Sequence, residues 1–164
     1  MKLDNVKTNP EIIVMVGLPG SGKSTWRDNF LSDKSYVIVS SDDEIEAMAA
    51  ADGTDYSTGF QNYIGKATAI SQQKFKEAVN TNKNIIWDQT NLNPKKRKGI
   101  LQQVPKHYKK IAVVFEVDPD ELQSRLDKRE KSTGKRIPSN VMQSMAKSYV
   151  KPSRAEGFDE VIIA

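Results

Sequence analysis

Five short apolar runs punctuate the chain: EIIVMV at 11–16, YVIV at 36–39, NIIW at 84–87, IAVVFEV at 111–117 and EVIIA at 160–164. They are close to continuous rather than alternating, which is the pattern of strands covered on both faces. Helical periodicity fills the intervals between them. The longest such stretch runs from about Gly59 to Asn80 and puts Phe60, Tyr63, Ile64, Ala67, Ile70, Phe75, Ala78 and Val79 roughly on one face, with the aromatics expected in the core. An Asp-Pro pair opens a helix at DPDELQSRLDKRE, Pro138 opens another through SNVMQSMAKSYV, and between them lies KSTGKR, read as a flexible basic loop. Strands alternating with helices predict an α/β fold, a parallel five-stranded sheet flanked by helices. No repeat, linker or shift in composition divides residues 1–164, so one domain is expected. In open parallel sheets, ligands bind beyond the carboxyl ends of the strands, and the residues that follow each strand are therefore the first candidates for chemistry.

Composition narrows the picture only a little. With 37% hydrophobic and 28% charged residues over 164 positions, the chain has the makings of one ordinary globular core. The lack of cysteine excludes disulfides and thiolate zinc sites. The start, MKLDNVKTNP, has no apolar leader stretch and no later run approaches membrane-spanning length, so a soluble, cytoplasmic protein without a membrane partner is expected. A net charge of +4 suits a polyanionic partner, but ATP is itself a polyanion, and charge does not choose between nucleotide and nucleic acid. The basic runs NPKKRK at 93–98 and KHYKK at 106–110 read as solvated helix faces, and His107, the single histidine, as a surface residue.

The sharpest signal is GLPGSGKSTW at 17–26. Gly17, four residues, then Gly22-Lys23-Ser24 is the spacing of a phosphate-binding loop between a strand and a helix. Glycines let backbone N–H groups turn toward oxyanions, Lys23 reaches the outer phosphates and the Ser24 hydroxyl can ligate magnesium. Gly17, Pro19, Gly20, Ser21, Gly22, Lys23, Ser24 and Thr25 are the expected contacts of an ATP tail, with Mg2+ as its companion ion. After the second strand comes SSDDE, which places Asp42 and Asp43 at the same rim. One carboxylate can accept or orient the proton of an acceptor hydroxyl while the other serves the helix N-terminus. After the third strand comes Asp88, suited to hold magnesium together with Ser24, or else to shape a turn with Thr90 and Asn91. Arg125, Lys128, Arg129, Lys135 and Arg136 gather around KSTGKR as a cationic lid for a transferring phosphoryl group.

On GLPGSGKSTW, SSDD, DQTNLNPKKR and the arginine region leading into IPSNVMQSMAKSY, the chain resembles the kinase domain of phage and bacterial polynucleotide 5′-kinases and related small ATP-dependent kinases. The likeness covers nearly the whole chain. It implies a P-loop NTPase fold, adenylate-kinase-like with an arginine lid, in which Lys23 and Ser24 bind phosphate and magnesium. It further implies Asp42 as the group that activates a 5′-hydroxyl, Asp88 as the magnesium-side aspartate, and Arg129, with Arg125 one turn earlier, on the ATP phosphates. In some phage members the aspartate directly precedes the threonine, where this chain has Gln89. Those members also carry an arginine three residues after the catalytic aspartate, and here that place holds Ile45, which Glu44 and Glu46 do not replace. The function expected is transfer of the γ-phosphate of ATP to a hydroxyl, foremost the 5′-OH of DNA or RNA. Two alternatives remain beside it: a small-molecule kinase acting on a nucleoside, sugar or antibiotic hydroxyl, and an NTP-bound switch that transfers nothing. Nothing in the pattern specifies an oligomeric state.

Overall fold

The computed structural model describes residues 9–31 and 35–164; the expectation for the start MKLDNVKTNP falls mostly on residues 1–8, which lie outside the described residues. Strands β1 (Glu11–Val16), β2 (Val37–Val39), β3 (Ile85–Trp87), β4 (Lys109–Val114) and β5 (Glu160–Ile163) form one sheet in the order β2-β3-β1-β4-β5. Every pairing is parallel, as the continuous apolar runs require. Successive residues of β1 serve opposite faces. Ile12, Val14 and Val16 join a core that contains Phe75, Ala78, Ile100 and Tyr108, while Ile13 and Met15 join a second core covered by Trp26 and Phe30. Among the described residues no helix is long and apolar enough to cross a membrane.

Among the described residues six α-helices flank the sheet: α1 (Lys23–Phe30), α2 (Ser41–Ala51), α3 (Tyr56–Asn80), α4 (Pro94–Leu101), α5 (Pro119–Thr133) and α6 (Ser139–Ser148). Several start where their capping residues dictate. Asp118 accepts from the N–H groups of Asp120 and Glu121 ahead of Pro119, and Asn93 accepts from Lys96 N–H ahead of Pro94. Helix α3 begins three residues before the expected Gly59 because the Asp55 side chain accepts from Thr58 N–H. Strand β4 also begins earlier than expected and stops at Val114, short of the predicted end at 117, so that Glu116 and Val117 already belong to the connection into α5.

Three expectations are corrected by packing. Phe60 is 39% exposed rather than in the core, because its neighbour Gly59 faces α2 so closely that a Cβ there would lie 2.9 Å from Ala49 Cβ. Lys131-Ser132-Thr133 of the supposed loop are the last turn of α5, and the chain reverses only at Gly134, whose φ of 71° suits a helix C-cap. The run NPKKRK is not wholly a solvated face. Arg97 is 0% exposed, and its guanidinium donates to Glu156 Oε1 at 2.7 Å, Asn91 O at 2.9 Å and Val150 O at 2.8 Å. It ties α4 to the loop after β3 and to the turn at Arg154–Glu156.

Replacing Arg97 with Met is expected to cost about 3–5 kcal/mol, because Glu156 and two carbonyls lose their donor in a buried site. Urea unfolding measures it, and the neighbouring, exposed Lys96→Met is expected to stay within about 0.5 kcal/mol of the parent.

Candidate active site

The loop after β1 is shaped by close contacts that leave room only for glycine. A Cβ at Gly17 would lie 2.6 Å from Ser21 Oγ and 3.0 Å from Phe115 Cβ. Gly17 N–H donates to Thr90 O at 3.0 Å, so the loop is pinned to the segment that follows β3. Gly22, with φ of 99°, turns the chain into α1 and offers no side chain to cap it. The first N–H groups of α1 therefore face the rim without a side-chain acceptor, the usual setting for an anion. Lys23 folds back over this loop, donating to Gly17 O at 2.7 Å and Leu18 O at 2.9 Å. Burial pushes its ammonium down to about 8, opposed by the charges of Asp88 and Asp42.

Beyond the loop opens a cavity of about 880 Å³ lined by Pro19 to Arg27, Asp42, Asp43, Asp88, Arg125, Arg129 and Lys135, among others. It brings together the predicted phosphate-loop, aspartate and lid residues apart from Gly17, which shapes the loop from beneath, and Lys128 and Arg136 of the expected lid. The two adjacent aspartates have different partners. Neither caps α2 with its side chain; that acceptor is Ser40 Oγ, which takes the N–H of Asp43. Asp43 pairs with Arg27 NH1 at 2.9 Å, and the same nitrogen reaches Asp88 Oδ2 at 2.8 Å. Asp42 is 53% exposed, accepts a 2.6 Å hydrogen bond from Tyr56 OH and lies 3.6 Å from Lys135 Nζ. Burial and the nearby Asp42 charge push the Tyr56 phenol above its ordinary value.

Asp88 is 8% exposed, and burial raises its carboxyl above the usual range in spite of Arg27 and Lys23. On the opposite side α5 leans over the loop. Arg125 NH1 reaches Gly20 O at 3.4 Å while NH2 holds Glu121 at 2.7 Å. Arg129 faces the cavity, and its Nε is buried without a hydrogen-bond partner. Lys128 and Arg136, grouped with the lid in the sequence, are exposed and do not line the cavity.

Two neighbours, Arg27 and Tyr56, were not singled out from the sequence, and two others, Gln89 and Asn91, were named there without the contacts they make. Arg27 lies one turn past the phosphate loop with nothing local to mark it. Tyr56 sits at the start of α3, and Gln89 accepts from Trp87 Nε1 while donating to Ser41 Oγ, both at 3.0 Å. Asn91, at φ of 48°, donates to Met15 O at 2.8 Å and so anchors β1 just before the loop.

A family model described as an AAA domain, AAA_33, matches residues 12–152. The human heterogeneous nuclear ribonucleoprotein U-like protein 2 is 25% identical over 158 residues, which take in 92% of this chain and 21% of that protein. A protein of Acanthamoeba polyphaga mimivirus, named "Putative bifunctional polynucleotide phosphatase/kinase", is 26% identical over 167 residues, covering 98% of this chain and 35% of its own length. The chain thus spans only about a fifth to a third of the curated relatives it matches. Among solved structures, "Structure of the Pnkp1/Rnl/Hen1 RNA repair complex" contains a chain that matches with a TM-score of 0.68 at 25% identity, over 90% of this chain and 46% of that one.

Gly17→Ala is expected to weaken ATP binding by about tenfold or more, because the added methyl overpacks a site walled partly by backbone. Gly65→Ala, with nothing within 4 Å of the new methyl, is expected to leave binding alone and to stabilise α3 by about 0.5–1 kcal/mol. Calorimetric titration with ATP and thermal unfolding measure the two effects.

Proposed function

The chain belongs to the AAA domain family AAA_33, and on that premise we propose that residues 1–164 form one kinase domain that moves the γ-phosphate of ATP to the 5′-hydroxyl of a polynucleotide. The observation that carries this reading is the shared cavity, with the phosphate loop on one side and an accessible carboxylate, Asp42, on the other. The names of the mimivirus protein and of the RNA repair complex favour a nucleic-acid end as acceptor over a small molecule.

Each residue then has a role that its surroundings support. The N–H groups at the start of α1 bind the donor phosphates, and Lys23 exchanges its two carbonyl partners for phosphate oxygens. Arg129 supplies its unpartnered Nε–H, and Arg125 closes from the same helix. Asp42 orients the acceptor hydroxyl and takes its proton as the oxygen bonds to the γ-phosphorus and the bond to the β,γ-bridging oxygen breaks, releasing ADP. Ser24 and the Asp88 carboxylate, hard oxygen donors lining the same cavity, fit magnesium. When bound, that ion neutralises charge on the β- and γ-phosphates. Supply of ATP and the lack of cysteine favour a cytoplasmic setting.

Incubation with γ-labelled ATP and a 5′-hydroxyl oligonucleotide is expected to label the oligonucleotide. The KM for the acceptor is expected to rise with salt, with a logarithmic slope of about 0.7 for each phosphate contacted on a single strand. No label on DNA or RNA of any length would reject this acceptor.

A further inference from the structure

A carboxylate that takes a proton has to be aimed, and Asp42, half exposed in the first turn of α2, is not aimed by its own helix. Among the described residues one hydrogen-bond donor reaches it: Tyr56 OH, 2.6 Å from Oδ1. Lys135 Nζ lies 3.6 Å from Oδ2, beyond hydrogen-bond length, so that oxygen keeps its lone pairs. The phenol comes from a different helix, across a tightly made corner. Thr54 N–H donates to Ala49 O at 2.8 Å, Asp55 caps α3 by accepting from Thr58 N–H at 2.8 Å, and a Cβ on Gly59 would lie 2.9 Å from Ala49 Cβ. The corner sets where α3 starts against α2, and so where the phenol points. Its ring is flanked by the Lys135 ammonium, 4.2 Å from the centroid, and by the Phe60 ring at 5.8 Å. Burial, and after it the hydrogen bond and charge of Asp42, push the phenol above its ordinary value, which keeps it a protonated donor at neutral pH.

We propose that Tyr56 is a positioning residue: its hydroxyl occupies Oδ1 of Asp42 and thereby presents Oδ2 to the acceptor hydroxyl. The assignment rests on the kinase reading above and adds to it the group that aims the base. A carboxylate on an exposed helix turn otherwise samples several rotamers, few of which point at an alcohol in line with the γ-phosphorus. A charge-assisted hydrogen bond from a rigid neighbour selects one of them before the acceptor arrives. In the transfer step the proton of the acceptor hydroxyl passes to Oδ2 as its oxygen bonds to the γ-phosphorus and the bond to the β,γ-bridging oxygen breaks. The phenol keeps its own proton throughout and remains bonded to Oδ1. Tyr56 therefore acts through Asp42 and has no effect without it.

The test compares the full chain with Tyr56→Phe, Asp42→Asn and the double variant in transfer from ATP to a 5′-hydroxyl oligonucleotide. Tyr56→Phe keeps the ring and its neighbours and removes only the hydroxyl. It is expected to lower kcat by about tenfold to a hundredfold, the scale of a displaced catalytic group, with the acceptor KM and the calorimetric ATP affinity within about threefold of the parent. Added to Asp42→Asn, the same change is expected to cost less than about twofold more, since the oxygen it aims no longer takes a proton. Three results would overturn the assignment: an unchanged kcat in Tyr56→Phe, a loss confined to KM, or the same fold loss in both backgrounds, as a merely structural role of the ring would give. Each of these needs an active parent and leaves the kinase reading standing. A parent that labels no hydroxyl rejects that reading, and this assignment with it.

Discussion

One guanidinium holds the rim of the cavity together. Arg27, on the first helix after the phosphate loop, reaches Asp43 after β2 and Asp88 after β3 with the same nitrogen, at 2.9 and 2.8 Å. Three segments far apart in the chain thereby converge, and two carboxylates that would repel each other are brought together by a positive charge between them. Asp88 is buried, so loss of this partner would leave its charge uncompensated in a poorly solvated place. The pairing also separates the neighbouring aspartates. Asp43 is committed to Arg27, which leaves Asp42 facing the cavity with Tyr56 and Lys135 beside it.

Beneath the rim, the sheet does the positioning. Gly17 N–H bonds to Thr90 O, Asn91 bonds to Met15 O, and Arg97 holds Asn91 O from below. The phosphate loop and the segment after β3 are thus fixed to each other before any ligand arrives. Preorganisation of this kind matters for phosphoryl transfer, where positioning and charge stabilisation account for most of the catalysis. Lys23 is folded onto the carbonyls of Gly17 and Leu18, partners that a triphosphate would displace in the proposed reaction.

Much of this was legible from local pattern. The five apolar runs gave five parallel strands, and the glycine spacing with its strand and helix marked the phosphate loop. What escaped has a common cause. Arg27, Arg97 and Tyr56 owe their importance to partners 14 to 61 residues away, and nothing in their immediate sequence marks them. Arg97 was hidden in a basic run whose other members do face water, and Phe60 was misplaced because Gly59, not the aromatic, takes the close contact with α2. Capping chemistry misled in one further respect: with Ser40 able to accept from Asp43 N–H, neither aspartate needs to cap α2, so both carboxylates remain for the cavity.

The central claim is that the Arg27 clamp divides the labour of the two adjacent carboxylates, leaving Asp42 to activate the acceptor. Comparison of Asp42→Asn with Asp43→Asn, by single-turnover transfer from ATP to a 5′-hydroxyl oligonucleotide alongside ATP affinity, tests it most directly. The account predicts that Asp42→Asn slows transfer by about 10²–10⁴-fold with ATP affinity nearly unchanged, whereas Asp43→Asn transfers within about tenfold of the parent and loses stability instead. Transfer by Asp42→Asn within tenfold of the parent, or an equal loss in Asp43→Asn, would contradict it.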